Sequence, residues 1–247
     1  MAAAGKVSAI IFDLDNTLID TRNADFFAFK QVKAVLRSQF AEVDADDVVA
    51  AFRKYLAEAE KDPNEVIPVD EWRTELWQRA LNSHHPKDAA VLLYRTWMSG
   101  RLDHMTFSEE VKGLLRRLRQ RYKLLLMTNG PSAIQRLKMA RCGADEYFNG
   151  IIVSGEQPHP KPDVSIFRTA FEMLDVPAEH CIMVGDCLST DIQGGLDAGC
   201  LATVWIDPKE QNKEIFFPSP NYSIASVMEI DKVLDDINTS VAAGTSQ

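Results

Sequence analysis

From Thr106 onward the chain alternates short apolar runs with segments of helical periodicity, and this alternation restricts the fold more than any other feature. The spacing predicts helices over 109–122, 132–142, 164–174 and 190–198, and strands over 124–128, 151–153, 181–184 and 201–206. Gly130-Pro131, Pro162 and Gly199 punctuate the helices. Strands apolar on both sides, linked by helices, belong to a parallel sheet covered on both faces. The run 7–12, Val-Ser-Ala-Ile-Ile-Phe, has the same character and joins the sheet. The expected fold is α/β, a doubly wound (Rossmann-like) parallel sheet. Residues 207–221 read as loop, 225–237 as a last helix and 239–247 as a frayed tail.

Between the first strand and Thr106 the pattern changes. Phe26, Phe27, Phe29, Val32, Val35 and Leu36 recur at helical spacing, as do Val48, Val49, Phe52, Tyr55 and Leu56. Trp72, Leu76, Trp77 and Ala80 make a third stripe, and Val91, Leu92, Tyr94, Arg95 and Met98 a fourth. The expected organisation is an α/β core of residues 1–20 and 104–247, with an all-helical domain, 21–103, inserted after the first strand. A length of 247 residues suits one full core domain and a smaller insert.

The chain carries 36 acidic against 27 basic residues, a formal charge of −9. That surface repels phosphate backbones and anionic headgroups unless a local basic patch intervenes. The densest basic stretch, 116–123, reads as the solvated end of one helix, so neither nucleic acid nor membrane is expected as a partner. No apolar run approaches a membrane span, and residues 1–6 hold no stretch of signal-peptide length. Cys142, Cys181, Cys187 and Cys200 form no CxxC pair, which fits reduced thiols in a cytoplasmic protein. Nothing points to an obligate protein partner.

Ligands of an open α/β sheet sit outside the carboxyl ends of its strands. Asp13, Asp15 and Thr17 follow the first predicted strand, Thr128, Asn129 and Gly130 the second, and Gly185, Asp186 and Asp191 the strand at 181–184. Lys161 precedes a helix between two prolines. Any single loop of this kind is explained by turn and capping chemistry. The conjunction is not, because acids gathered on one rim repel one another unless a cation joins them. Mg²⁺ suits carboxylate oxygens and pairs with phosphate. Thr128 and the backbone around Gly130 can hold phosphoryl oxygens beside Lys161. One carboxylate can then attack phosphorus while a second moves protons.

Phe-Asp-Leu-Asp-Asn-Thr at 12–17, Thr-Asn-Gly at 128–130, Lys161 and Gly-Asp-Cys-Leu-Ser-Thr-Asp at 185–191 resemble the four motifs of haloacid dehalogenase superfamily phosphatases, in family order. The helical insertion after the first motif is similar to that superfamily's type 1 cap. The resemblance implies Asp13 as nucleophile and Mg²⁺ ligand, Asp15 as general acid/base and carbonyl ligand, and Asp186 as a third ligand. It implies phosphate binding by Leu14, Asp15, Thr128, Asn129, Gly130 and Lys161, with Asp191 in support. Cys187 occupies a variable position and reads as a spacer. In the insert, Arg73, beside Trp72 and Trp77, is the candidate for gripping an acidic phosphosugar substrate. The expected activity is Mg²⁺-dependent hydrolysis of a small phosphosugar. The alternatives are a phosphatase of other phosphosugars or nucleotides, a phosphosugar mutase and, last, a non-catalytic phosphate-binding regulatory module. A dehalogenase has no need of an acid at Asp15.

Overall fold

The computed structural model describes residues 6–58, 67–82, 86–207 and 217–244. The chain forms two compact units, one of Met1–Ile19 with Phe107–Gln247 and one of Asp20–Thr106. Part of the predicted loop 207–221 and the last residues of the tail fall outside the described residues.

The first unit is built on six parallel strands: β1 (Ala9–Phe12), β2 (Lys123–Thr128), β3 (Gly150–Val153), β4 (Cys181–Gly185), β5 (Ala202–Ile206) and β6 (Tyr222–Ile224), in the spatial order β3-β2-β1-β4-β5-β6. The sheet grows from β1 outward through β2 and β3 on one side and β4 to β6 on the other. The cleft where that direction reverses, at the carboxyl ends of β1 and β4, is where such sheets bind ligands. Phe12 lies in register with Leu126 and Val184, so Asp13, Met127 and Gly185 follow at one level. Ile10, Ile11 and Phe12 are fully buried, each worth about 1.5–3 kcal/mol relative to exposure. On one face Ala9, Ile11, Leu125, Met127 and Met183 pack with Ile166, Phe167 and Ala170 of a helix at Val164–Leu174.

Four of the five strands joined by helices fall within about one residue of the sequence reading. The fifth, β1, starts two residues later than read, and β6 went unread, since Tyr-Ser-Ile, partly to fully exposed, carries too little pattern to be seen. The last helix, Ile230–Gly244, begins later than expected and continues through much of the supposed frayed tail. The predicted helix at 190–198 opens as a π-helical turn, Leu188–Ile192, before a short α-helix, Gln193–Asp197.

The second unit comprises four helices among its described residues: α1 (Thr21–Gln39), α2 (Ala45–Glu58), α3 (Val69–Ala80) and α4 (Lys87–His104). Its aromatic centre is Phe29, Phe52, Trp77 and Trp97, with Phe52 stacked on Trp77 at 3.7 Å between centroids. The buried seam of α1 is Ala24, Ala28, Val32 and Leu36, and Phe26 is 64% exposed. Small residues win this seam because α4 approaches closely: a Cβ on Gly100 would come within 3.0 Å of the Ala28 Cα. The fold also collects cations that are dispersed in sequence. Arg22, Lys30, Lys33, Arg37 and Arg53 line a groove of about 530 Å³ between α1 and α2. Asp46 pairs with Lys33 at 2.5 Å and Arg37 at 2.8 Å, and Arg53 lies over the Phe29 ring, so much of that charge is engaged internally.

Candidate active site

Local structure at the end of β1 sets the spacing of the first two acids. Asp13 continues the strand, its N–H donating to Val184 O at 2.9 Å. Leu14 then turns fully into the core, which leaves Asp13 and Asp15 flanking a buried residue. Leu14 O accepts from the N–H groups of Leu18 and Ile19, and Asn16 takes φ 58°, a conformation asparagine tolerates. With its side chain buried, Leu14 can serve a phosphoryl group only through its backbone.

Lys161 is the centre of the site. Only 2% exposed, its Nζ lies 2.7 Å from Oδ1 of Asp13 and 2.7 Å from Oδ1 of Asp191, and donates to Met127 O at 2.9 Å. Burial works against its ammonium, but the two carboxylates outweigh burial and hold its pKa above the ordinary lysine value. Burial also raises the Asp13 pKa, and Asp191 adds to this while Lys161 opposes it. The Asp191 carboxylate is set by the π-helical turn, where Oδ2 accepts from the Cys187 N–H at 3.0 Å. Gly185 has to be glycine here, because a Cβ would collide with that carboxylate.

Carboxylate oxygens of Asp13, Asp186 and Asp191 can be chosen all within 4.8 Å of one another. Three carboxylates against one lysine leave a formal charge of −2 in a largely buried cluster. An all-oxygen donor set with that residual charge fits Mg²⁺. Asp186 is half-buried and held from behind, its carbonyl accepting from Trp205 Nε1 at 2.9 Å.

The Thr128–Gly130 loop follows β2. Thr128 is fully buried. The Asn129 side chain is spent on the Lys161 backbone, accepting from its N–H and donating to its carbonyl, both at 3.0 Å. Asn129 therefore anchors Lys161 through its side chain. Gly130 takes φ 136°, open only to glycine, and its N–H donates to Ser154 Oγ at 3.0 Å.

Asp15 is handled differently from the other acids, and by residues that the sequence analysis did not single out. Gln135 and Lys138, on the helix Ser132–Cys142, both reach its carboxylate, Lys138 Nζ at 2.7 Å from each oxygen. The available signal was positional: 135, 138 and 142 share a helix face, so Gln and Lys stand in line with a buried cysteine. Arg73 belongs to the helical unit. It is half-buried there, with its guanidinium 5.6 Å from the Trp97 ring centre and Nη1 3.9 Å from Met98 Sδ.

The doubly wound sheet, the buried Asp–Lys–Asp ladder and the interrupted chain define one class. Residues 7–199 match the haloacid dehalogenase-like hydrolase family, and the chain belongs to it. It is 39% identical over 246 residues to the N-acylneuraminate-9-phosphatase of Rattus norvegicus, covering 96% of this chain and 97% of the rat protein. The Homo sapiens protein of the same name is 39% identical over 249 residues, with 97% and 98% covered. The pyrimidine 5'-nucleotidase YjjG of Escherichia coli is 28% identical over 228 residues, with 91% and 96% covered. Among solved structures, the HAD-hydrolase YfnB from Bacillus subtilis, bound to magnesium, superposes with TM-score 0.68 at 24% identity, covering 94% of this chain and 100% of that one. The chain is a phosphoric monoester hydrolase of this family. Among the described residues, no helix is long and apolar enough to cross a membrane.

Proposed function

We propose that this enzyme forms an aspartyl-phosphate on Asp13 and hydrolyses N-acylneuraminate 9-phosphate to the free sugar acid and phosphate, with Mg²⁺ bound. The ladder Asp13–Lys161–Asp191 carries the reaction: Lys161 fixes one oxygen of Asp13 and so fixes the plane of the attacking carboxylate. The Asp13 carboxylate attacks phosphorus as the bond from phosphorus to the sugar oxygen breaks. Asp15, protonated, gives its proton to that oxygen. As a carboxylate it then takes a proton from the water that attacks the phosphorus, which frees Asp13 and releases phosphate. Thr128 and the Asn129 N–H hold the phosphoryl oxygens, the Gly130 N–H being taken by Ser154 Oγ, while Asp191 keeps Lys161 aimed at Asp13. Asp13, Asp186 and the Asp15 carbonyl would hold Mg²⁺, which supplies the positive charge needed where a carboxylate meets a phosphate dianion.

The substrate rests on likeness to the N-acylneuraminate-9-phosphatases over nearly the whole chain, the helical unit included. In this reading that unit is a cap that selects the sugar, and Arg73 meets its carboxylate. The test is phosphate release from N-acylneuraminate 9-phosphate, hexose 6-phosphates and pyrimidine nucleoside 5'-monophosphates, each with Mg²⁺. The sugar acid phosphate should give the highest kcat/KM. A higher value for the nucleotides would move the chain toward the activity in YjjG's name, and turnover of a hexose phosphate that requires a bisphosphate activator would make it a mutase.

A further inference from the structure

The Asp15 carboxylate is gripped by one helix. Lys138 Nζ lies 2.7 Å from both of its oxygens, and Gln135 Nε2 lies 3.0 Å from Oδ2. Lys138 and Gln135 are 5% and 3% exposed. The same Gln135 amide also faces Thr128 Oγ1 at 3.0 Å and Asn129 O at 2.6 Å. It therefore ties the carboxylate of Asp15 to the loop assigned to the phosphoryl group. A Cβ on Gly130 would lie 2.9 Å from that amide nitrogen, so the glycine keeps the linkage open.

An ion pair with one partner buried and the other only partly exposed, as Lys138 and Asp15 are, is a poor way to stabilise a fold, since apolar residues of similar volume do as well or better. Packing alone therefore does not account for Lys138. Geometry does: a carboxylate that must hand over a proton and later take one back works only from a narrow range of orientations. Lys138 donates to both oxygens and Gln135 to one, which fixes the carboxylate plane. Resting on the phosphatase reading above, we propose that Lys138 and Gln135 are positioning residues for the proton transfers of Asp15. The helix that opens behind the phosphate loop thus sets the acid/base and the loop together, in one piece.

The experiment uses the full chain with Mg²⁺ and three substitutions, Lys138→Met, which keeps the stem packed, Lys138→Arg and Gln135→Leu. Substrates are N-acylneuraminate 9-phosphate, with a poor leaving group, and 4-nitrophenyl phosphate, with a good one. Lys138→Met should lower kcat on the sugar phosphate about 10- to 100-fold with KM changed by less than about threefold. On 4-nitrophenyl phosphate it should show a larger nitrophenolate burst than wild type, because transfer to Asp13 needs little acid help while hydrolysis still needs the base. Lys138→Arg should recover most of kcat. Folded Lys138→Met with wild-type kcat, or with no larger nitrophenolate burst than wild type, overturns the proposal. If Lys138→Met does not fold, Gln135→Leu is read in the same way for a smaller loss. Asp15→Asn is run alongside. If it matches wild type, the mechanism itself fails; if it is crippled while Lys138→Met is normal, only the positioning role fails.

Discussion

The side-chain amide of Asn129 and the backbone of Lys161 exchange two hydrogen bonds of 3.0 Å. One loop thereby holds the next in register, and the lysine that bridges Asp13 and Asp191 is placed from outside its own segment. Asn129→Ala should lower kcat about 10- to 100-fold through misplacement of Lys161. Leaving buried backbone groups unpaired costs about 1–3 kcal/mol, or roughly 2–10 °C in Tm for a chain of this size. Steady-state kinetics and a thermal melt check both, and an unchanged Tm would show that the reciprocal pair does not hold the loop.

Removal of divalent metal should abolish phosphate release, and Mg²⁺ should restore it. Ca²⁺ should not substitute, because it takes six to eight ligands at longer distances and would displace the Asp13 carboxylate. Mg²⁺ should also raise the Tm, since the proposed ligands Asp13, Asp186 and the Asp15 carbonyl come together only in the folded chain. Activity persisting after exhaustive chelation would count against the acidic cluster as a metal site.

The Glu156 carboxylate is pulled down to about 2 by hydrogen bonds from Arg136 and then Ser132, from an ordinary 4.5. A depressed carboxylate stabilises the fold above its unfolded value and loses that contribution as pH falls from about 4.5 toward 2. Because the pair is partly exposed, its worth is discounted to about 0.5–1 kcal/mol. In urea titrations Glu156→Gln should be less stable than wild type by that amount at pH 7. The gap should close steadily below pH 4.5. A gap independent of pH would mean that the charge is not what stabilises the contact.

Arg73→Ala should reduce kcat/KM on an acidic sugar phosphate about ten- to a hundredfold while leaving a neutral aryl phosphate nearly unaffected, the expected worth of a bidentate guanidinium–carboxylate contact. Equal loss on both substrates, or none on either, would return Arg73 to a packing role over Trp97.

The central strands were legible because parallel strands buried on both faces write themselves as unbroken apolar runs, as in Ile10-Ile11-Phe12 and Leu124-Leu125-Leu126-Met127. The acids were legible because strand ends display them. β6 was not, since an edge strand of three residues leaves no periodicity to detect. The buried seam of α1 was misread toward phenylalanine because sequence periodicity registers size, whereas Ala24 and Ala28 are buried for being small. Asn129 was recognisable as a site residue, but its bond to a backbone 32 positions away was not. Gln135 and Lys138 looked like ordinary helix polarity until the fold showed what faces them.

β1 lies between β2 and β4, and Ala9 pairs with Lys123 on one side and Cys181 on the other. During synthesis the strand that leads into Asp13 therefore waits for partners roughly 110 and 170 residues downstream. Until they emerge, Ala-Ile-Ile-Phe is an apolar segment with both edges unsatisfied, and long-range pairing of this kind is slow and prone to aggregation. The helical stretch between β1 and β2 packs within itself, α1 against α4 and α2 against α3, and so needs neither of those later strands to close. The insertion between β1 and β2 thus also sets an order of emergence: the helical unit first, β1 paired on both edges only once β2 and β4 have been made, and Asp13, Lys161 and Asp191 not together before the chain has passed β4.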